Sequence, residues 1–163
     1  MNSRNKKNWD ISPFRWELLN ENTGFLFLQL TNLWQYGQER ILKMHFGLSQ
    51  TQYAIMASLH WLTLQGSEVT QSELAQHCKI EKMTLSNNIT KLVGRGYLTV
   101  NTHSNDARAN AVLVTEKGKE LLQKAVIDIE NMDERFFHSL NSAKLKSFNE
   151  TLITLVQANN FYY

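Results

Sequence analysis

Apolar residues recur at intervals of three and four along most of this chain, a spacing that predicts helices with one apolar face. In the first half, residues 24–46 keep this spacing over about six turns and predict one long helix. Its apolar positions are Leu26, Leu30, Leu33, Trp34, Gly37, Ile41 and Met44. Ser49 and Gln52 then form a capping-box sequence, which predicts a shorter helix that ends near Gly66.

The last third of the chain shows two further helical patterns. Thr115 is a natural N-cap for a long helix over residues 116–140. The apolar side of that helix carries Leu122, Ala125, Ile129, Met132, Phe136 and Leu140. Residues 141–163 predict another helix, with the apolar positions Leu145, Phe148, Leu152, Leu155 and Val156.

Between these helical regions, residues 69–98 combine two short helices with a tight corner. Thr70 and Glu73 form a second capping box, so the first helix begins there. Its inward face carries Leu74, Ala75 and Cys78. Residues 79–81 are too few for another element and predict a corner. The second helix, residues 82–93, places four apolar residues on one side, which we expect to be buried: Leu85, Ile89, Leu92 and Val93.

The opposite face of the second short helix is rich in small hydroxyl and amide side chains. At roughly 100° per residue, this face carries Met83, Thr84, Asn87, Thr90 and Lys91, with Ser86 and Asn88 beside them. Asparagine can bind an adenine edge, serine and threonine can meet bases or phosphates, and lysine neutralises phosphate charge. Such a face suits the major groove of DNA, although an ordinary solvated helix face has the same composition.

A hairpin pattern follows the second short helix. Residues 94–96, Gly-Arg-Gly, can end the helix, because glycine accepts the left-handed backbone of a C-terminal cap. Two β-prone runs, residues 97–102 and 111–114, then flank a polar, turn-rich tip at residues 103–110. Helix, corner, helix and hairpin predict a winged helix-turn-helix. The expected fold class is therefore mainly α with a small β-hairpin wing.

With these elements in place, the chain resembles the MarR family of bacterial transcription regulators. The likeness rests on the helix pair 70–93 and on the wing entry Gly96-Tyr97-Leu98. It also rests on the wing tip Asp106-Ala107-Arg108-Ala109 and on the wing exit over residues 114–122. The two wing motifs, in this order and spacing, are more specific than the helix pair.

The resemblance implies how the chain is organised. Residues 1–163 are expected to form a single winged-helix domain, with residues 49–115 as the DNA-binding lobe and residues 116–140 as a long connecting helix. In the family, the first and last helices interlock between two subunits. The resemblance therefore implies a homodimer held by residues 24–46 and 141–163, although these helices could instead pack on their own core.

The resemblance also implies a DNA-binding regulator that responds to a small-molecule effector, with repression as the family's commoner habit. The expected DNA-contact residues are Lys82, Thr84, Ser86, Asn87, Asn88, Lys91 and Arg108. In a two-fold dimer, each subunit places residues 82–93 in a major groove, and the half-sites of a palindromic operator lie about one helical turn, roughly 34 Å, apart. Arg108 is expected to reach the adjacent minor groove. Asp106 is expected to brace it, since phosphate repels a carboxylate.

Three positions depart from the family's usual pattern and keep a second hypothesis open. Val100 and Ala107 stand where basic residues are common, and Asn87 stands where an arginine is frequent. The wing is therefore poor in charge. This favours, as the alternative, a winged-helix adaptor that binds a protein and has weak or no affinity for DNA. Binding to a duplex that weakens steeply as salt rises would distinguish the regulator from the adaptor.

Length and charge are compatible with either hypothesis. A chain of 163 residues with 42% hydrophobic content can bury one sizeable core. The formal net charge of +2 is too small to indicate nucleic acid by itself. Residues 79–95, however, hold four basic residues against one acidic residue, a local net charge of +3. The basic residues are Lys79, Lys82, Lys91 and Arg95.

Other candidate chemistry is sparse. Cys78 is the single cysteine, which excludes an internal disulfide, and on an inward helix face we expect it to pack as a small apolar group. Glu134 with His138, and His103 with Asp106, could each supply two metal ligands, fewer than a closed site requires. The sequence therefore predicts neither an enzyme nor a cofactor.

The ends of the chain complete the picture. No run of residues has the length and apolar character of a membrane span or signal peptide, so we expect a cytoplasmic protein without a membrane partner. Residues 1–21 are polar and basic but contain Trp9, Phe14 and Trp16. Because aromatic side chains this close together need a surface to bury against, a docking arm is expected, with the partner subunit as one acceptor.

Overall fold

The computed structural model describes residues 21–66, 68–104 and 108–160. The chain divides into two compact units, Met1–Gln35 and Tyr36–Tyr163. The predicted arm with Trp9, Phe14 and Trp16 lies outside the described residues, as does Asp106. Among the helices that the structure describes, none combines the length and apolar character that crossing a membrane requires.

The described residues form mainly helices, as the sequence predicts. The helices are α1 (Thr23–Ile41), α2 (Gln50–Leu64), α3 (Gln71–Cys78), α4 (Lys82–Gly94), α5 (Glu116–Phe137) and α6 (Ser142–Ala158). A π-helical turn, Leu42–Phe46, extends α1. The strands are β1 (Val69–Thr70), β2 (Leu98–Thr102) and β3 (Asn110–Val114).

Local capping explains where the helices begin and end. The predicted capping box is present at Ser49, whose hydroxyl accepts from the amide of Gln52 at 3.2 Å while the Gln52 side chain accepts from the amide of Ser49 at 3.1 Å. Thr115 accepts from the amide of Gly118 at 3.0 Å and begins α5, also as predicted. Gly47, at φ 61°, ends the π-helical turn in the left-handed region that glycine tolerates.

The wing is a three-stranded antiparallel sheet in the order β1-β3-β2. The predicted hairpin of β2 and β3 is confirmed, with Val100 opposite Val112 and Leu98 opposite Val114. The third strand, β1, pairs Val69 with Val112 and was not predicted. Two residues are too few to show an alternating pattern, so nothing in the sequence marks β1 as a strand.

The core lies among α2, α3, α4, the sheet and the first two-thirds of α5. Its largest fully buried side chains are Leu42, Leu48, Ile55, Met56, Leu59, Leu74, Leu85, Leu92, Leu98 and Val112. Fully burying one leucine side chain contributes about 1.5–3 kcal/mol, so this set accounts for much of the apolar driving force of folding. In contrast, α6 contains no buried residue.

The start of α5 is tied closely to the start of the wing. The hydroxyl of Thr115 donates to the carbonyl of Gly96 at 2.7 Å, and its amide donates to the carbonyl of Tyr97 at 3.0 Å. Gly118 lies one turn further on, where an added Cβ would overlap the carbonyl oxygen of Tyr97 and come within 2.9 Å of Val114. Only glycine fits this close approach of helix to strand.

We expect Gly118→Ala to lower the free energy of unfolding by about 1–3 kcal/mol, because the new methyl group forces the helix away from the wing. Gly94→Ala is the matched control: a Cβ at Gly94 would meet nothing within 4 Å. We expect that variant to be neutral, or stabilised by about 0.4–1 kcal/mol. Urea unfolding at equal protein concentration measures both, and equal stability of the two variants would contradict the close approach.

Candidate DNA-binding surface

The first short helix of the predicted pair, α3, begins at the capping box that the sequence shows. The hydroxyl of Thr70 accepts from the amide of Glu73 at 3.2 Å, and the Glu73 carboxylate accepts from the amide of Thr70 at 2.8 Å. The bond from the Thr70 amide, and then a bond from the Thr70 hydroxyl to the same carboxylate at 2.8 Å, hold the pKa of the Glu73 carboxyl below its ordinary value. The ionised carboxylate at the first turn of α3 also suits the helix dipole.

The predicted corner between α3 and α4 is confirmed. Lys79 adopts a left-handed conformation, φ 55° and ψ 44°, and its amide donates to the carbonyl of Ala75. A lysine is uncommon in this region of backbone space, so packing of the corner imposes the conformation. The ammonium group of Lys79 donates to the side-chain oxygen of Asn160, just beyond α6. The ammonium group of Lys79 is therefore hydrogen-bonded to another part of the protein.

One face of α4 is buried and anchors the helix. Leu85, Ile89 and Leu92 are at most 2% exposed, as predicted. Val93 was also expected to be buried, and this was wrong: it is 38% exposed. Val93 is the last residue but one of α4 and lies beyond the core surface on which the other three side chains pack.

The opposite face of α4 is open to solvent along its length. Of the predicted contact residues on this helix, the exposed ones are Lys82, Thr84, Ser86, Asn87 and Lys91. Asn88 is half-buried, and its amide donates to the carbonyl of Thr84 at 2.8 Å. The hydroxyl of Thr90 similarly donates to the carbonyl of Ser86, at 3.0 Å. The residues with side chains turned outward are thus a subset of the polar residues that helical spacing brings to this face.

A groove of about 440 Å³ lies where the beginnings of α3 and α4 meet. It is lined by Gln71, Ser72, Lys82, Met83, Leu85, Ser86 and Asn87. The two residues from α3, Gln71 and Ser72, were missing from the predicted site. Their position could have indicated them, because they occupy the first turn of α3, next to the capping residue Thr70. Met83 is 76% exposed at this groove.

The wing places Arg108 at an exposed position near its tip. The amide of His103 donates to the carbonyl of Ala109 at 3.0 Å, which extends the hairpin one step beyond the paired residues Thr102 and Asn110. Residues 105–107 lie outside the described part of the chain. The expected bracing of Arg108 by Asp106 therefore stays a prediction.

The wing tip is also tied to the residue that precedes β1. The carboxylate of Glu68 accepts from the amide of Ser104 at 2.7 Å and lies 3.6 Å from Nδ1 of His103. The bond from Ser104, followed by the nearby His103, lowers the pKa of the Glu68 carboxyl. Nothing in the sequence pattern pairs Glu68 with the wing, because 36 residues separate it from Ser104.

The local basic patch is smaller than the sequence suggests. Arg95 was counted in it, but its guanidinium donates to the carbonyl of Gly47 at 2.8 Å and to that of Phe46 at 3.4 Å. The same group lies 4.8 Å from the centre of the Tyr97 ring. Arg95 therefore caps the helical segment that ends at Phe46, and the exposed cations of α4 itself are Lys82 and Lys91.

Other candidate groups show no reactive arrangement. Cys78 is half-buried against the core, as predicted, and burial raises the pKa of its thiol, which disfavours the reactive thiolate. Nδ1 of His138 lies 2.9 Å from the carbonyl of Arg135 in its own helix. Within residues 21–66, 68–104 and 108–160, no three His, Cys, Asp or Glu side chains lie where they could hold a metal ion.

Comparison with known proteins decides the family. The model of the ArnR1-like winged-helix domain matches residues 38–132, more than half of the chain. The chain belongs to this family. The match runs from the end of α1 to α5 and so includes the whole surface described above. An uncharacterised HTH-type transcriptional regulator of Bacillus subtilis (strain 168), YdcH, is 29% identical over 118 residues, which is 72% of this chain and 80% of YdcH.

Solved structures show how far the fold of this ArnR1-like protein is shared. Sco3205, a MarR family transcriptional regulator from Streptomyces coelicolor determined in complex with DNA, has a TM-score of 0.74 at 19% identity, covering 82% of each chain. CouR from Rhodococcus jostii RHA1, bound to p-coumaroyl-CoA, has a TM-score of 0.75 at 19% identity, covering 84% of this chain and 93% of CouR. The predicted winged-helix fold and the resemblance to MarR regulators are confirmed. The chain is thus similar in fold to winged-helix transcription regulators, one of which was determined in complex with DNA.

The contrast between Arg95 and Lys91 can be measured. We expect Arg95→Met to lower the free energy of unfolding by about 1–3 kcal/mol, since it removes charge-assisted hydrogen bonds to two carbonyls, and to leave the salt dependence of DNA binding unchanged. Lys91→Gln should do the reverse, with stability unchanged and the slope of log affinity against log salt reduced by about 1. Urea unfolding and titrations at several salt concentrations give both quantities. A reduced slope for Arg95→Met would return that residue to the DNA-binding surface.

Proposed function

We propose that this protein is a ligand-responsive repressor that binds a palindromic operator as a homodimer. The observation that carries the proposal is the exposed polar face of α4, Lys82–Gly94, whose other face is anchored by Leu85, Ile89 and Leu92. A rigidly held helix with hydroxyl, amide and ammonium groups turned to solvent is suited to entering a major groove.

Each predicted contact residue has a role in this proposal. Thr84, Ser86 and Asn87 contact base edges, with Asn87 reading adenine. Lys82 and Lys91 neutralise phosphates. Asn88 stays in the predicted set, although its amide already donates to the carbonyl of Thr84. Arg108, on the wing, contacts the neighbouring minor groove.

Exposed apolar side chains on the first and last helices support the homodimer. On α1, the exposed large residues are Leu26, Phe27, Leu28, Leu33 and Tyr36. On α6, they are Ile153, Leu155 and Val156, in a helix without a buried residue. Large apolar side chains concentrated on an exposed helix mark an interaction surface, and a second copy of the chain is the partner that the family's architecture supplies. Residues 24–46 and 141–163 are thus the proposed dimerisation helices.

The remaining organisation follows from the dimer. Residues 49–115 act as the DNA-binding lobe, and residues 116–140 connect this lobe to the dimerisation helices within one functional domain. Two-fold symmetry then places the two copies of α4 about one helical turn, roughly 34 Å, apart and requires a palindromic operator.

Ligand response is proposed from the likeness to CouR, which was determined with p-coumaroyl-CoA bound. A ligand that binds one spacing of the two recognition helices better than another shifts the population between them, and so changes the affinity for DNA. No residue of this chain is assigned to the ligand.

The exposed apolar residues of the DNA-binding lobe favour one alternative, a protein-binding adaptor. Met83 is 76% exposed beside the α3–α4 groove, and Val100 is exposed on the wing. Titration of the protein with duplex from its own upstream region at low salt distinguishes the two functions. A regulator binds tightly at low salt, with an affinity that falls steeply as salt rises, whereas an adaptor binds duplex weakly or not at all.

Base reading by Asn87 has a specific consequence. We expect Asn87→Ala to lose about 1–3 kcal/mol of discrimination at one base pair of each half-site, because the paired donor and acceptor for adenine are removed. Competition between operators that differ at single positions measures this loss. Asn131→Ala removes an exposed asparagine from α5 and is the matched control, expected to keep the parent's preference. An unchanged preference in Asn87→Ala would mean that α4 is docked differently or does not read DNA.

The dimer can be tested with two equally exposed leucines. Leu33 on α1 is 66% exposed, and Leu64 at the end of α2 is 70% exposed. We expect Leu33→Glu to shift the protein toward monomers, since it places a charge in the proposed apolar interface, whereas Leu64→Glu should leave the dimer intact. Sedimentation equilibrium over a range of concentrations reports the association constant. A monomeric parent protein would contradict the proposal outright.

A further inference from the structure

The wing tip is linked to the body of the protein through a residue outside the hairpin. Glu68 directly precedes β1, the short strand at the edge of the sheet. Its carboxylate oxygen Oε2 accepts from the amide of Ser104 at 2.7 Å and lies 3.6 Å from Nδ1 of His103. Both groups belong to the part of the wing beyond the last residue of β2.

This link acts where the sheet no longer holds the wing. The ladder between β2 and β3 ends at the pair Thr102 and Asn110, and one further backbone bond joins His103 to Ala109. Ser104 lies beyond this ladder, and ordering an exposed residue on binding costs conformational entropy. The hydrogen bond that the Ser104 amide donates to Glu68 reduces that cost, because it orders Ser104 before DNA binds.

We propose that Glu68 is a positioning residue that holds the backbone at Ser104, and through it favours the orientation of Arg108 that contacts DNA. The inference rests on the proposed minor-groove contact of Arg108. Glu68 itself would repel phosphate, so its effect on binding is indirect and acts through the backbone of Ser104.

Charge strengthens the link. A carboxylate that accepts from a backbone amide makes a shorter and stronger bond than a neutral acceptor does. The same bond, together with His103 nearby, lowers the pKa of the Glu68 carboxyl, so the acceptor is ionised at neutral pH. Glutamine at this position would keep an acceptor oxygen in nearly the same place while losing the charge.

The test is a double-mutant cycle on operator DNA with the full chain, using Glu68→Ala, Arg108→Ala and the double variant. We expect Glu68→Ala to weaken binding by about 3- to 10-fold, the cost of ordering Ser104 once its amide has lost this acceptor. In the Arg108→Ala background, the same change should weaken binding by less than about 2-fold, since the contact that it orders has gone. Combined with Asn87→Ala, its effect should stay undiminished, because Asn87 lies on a different element.

Two further variants separate positioning from general effects. Glu68→Gln should recover part of the lost affinity, which a pure charge effect would not predict. Glu116→Ala removes an exposed carboxylate that pairs with Lys119 outside the wing, and should leave binding near that of the parent. Circular dichroism of each variant establishes that the fold is retained.

The outcomes distinguish this inference from the function on which it rests. If Arg108→Ala binds like the parent, the wing contact is absent and the positioning role falls with it. If Arg108→Ala weakens binding but Glu68→Ala binds like the parent, or loses the same factor in both backgrounds, only the positioning role is overturned and the proposed regulator stands.

Discussion

The proposed DNA-binding surface depends on the contacts around the ring of Tyr97, just after α4. Arg95 lies 4.8 Å and Lys117 lies 5.0 Å from the centre of this ring. Arg95 also donates to the carbonyl of Gly47, and Lys117 donates to the carbonyl of Arg95 at 2.9 Å. Four segments meet here: the end of the π-helical turn, the end of α4, the start of the wing and the start of α5. Hydrogen bonds and cation–π contacts therefore join the end of α4 to the three other segments.

This arrangement determines the chemistry that remains for DNA. Arg95 and Lys79 are basic residues of the helix-turn-helix segment, and both bind oxygen atoms of the protein itself. The exposed face of α4 is left with hydroxyl and amide groups and the ammonium groups of Lys82 and Lys91. Phosphate neutralisation gives affinity without sequence information, whereas amides and hydroxyls can read base edges. A surface of this composition favours discrimination between sequences over tight non-specific binding.

The helices α5 and α6, outside the proposed DNA-binding lobe, differ in how they pack on the core. The buried side of α5 places the apolar residues Leu122, Ala125 and Ile129 in the core. No residue of α6 is buried, and the apolar side chains of Leu155 and Val156 are exposed. A helix that neither packs on its own core nor presents a uniformly polar surface needs another surface to cover it. The described residues thus combine a packed core with an apolar face of α6 that they leave exposed.

The sequence by itself determined the features that depend on neighbouring residues. The capping boxes at Ser49 and Thr70, the N-cap at Thr115 and the buried face of α4 all follow from spacings of three or four residues, over which side chain and backbone meet within one turn. The pairing of β1 with β3, the partner of Arg95 and the link from Glu68 to Ser104 follow instead from how distant segments pack. These contacts join residues 36 to 48 positions apart, so their geometry exists only after the core has packed.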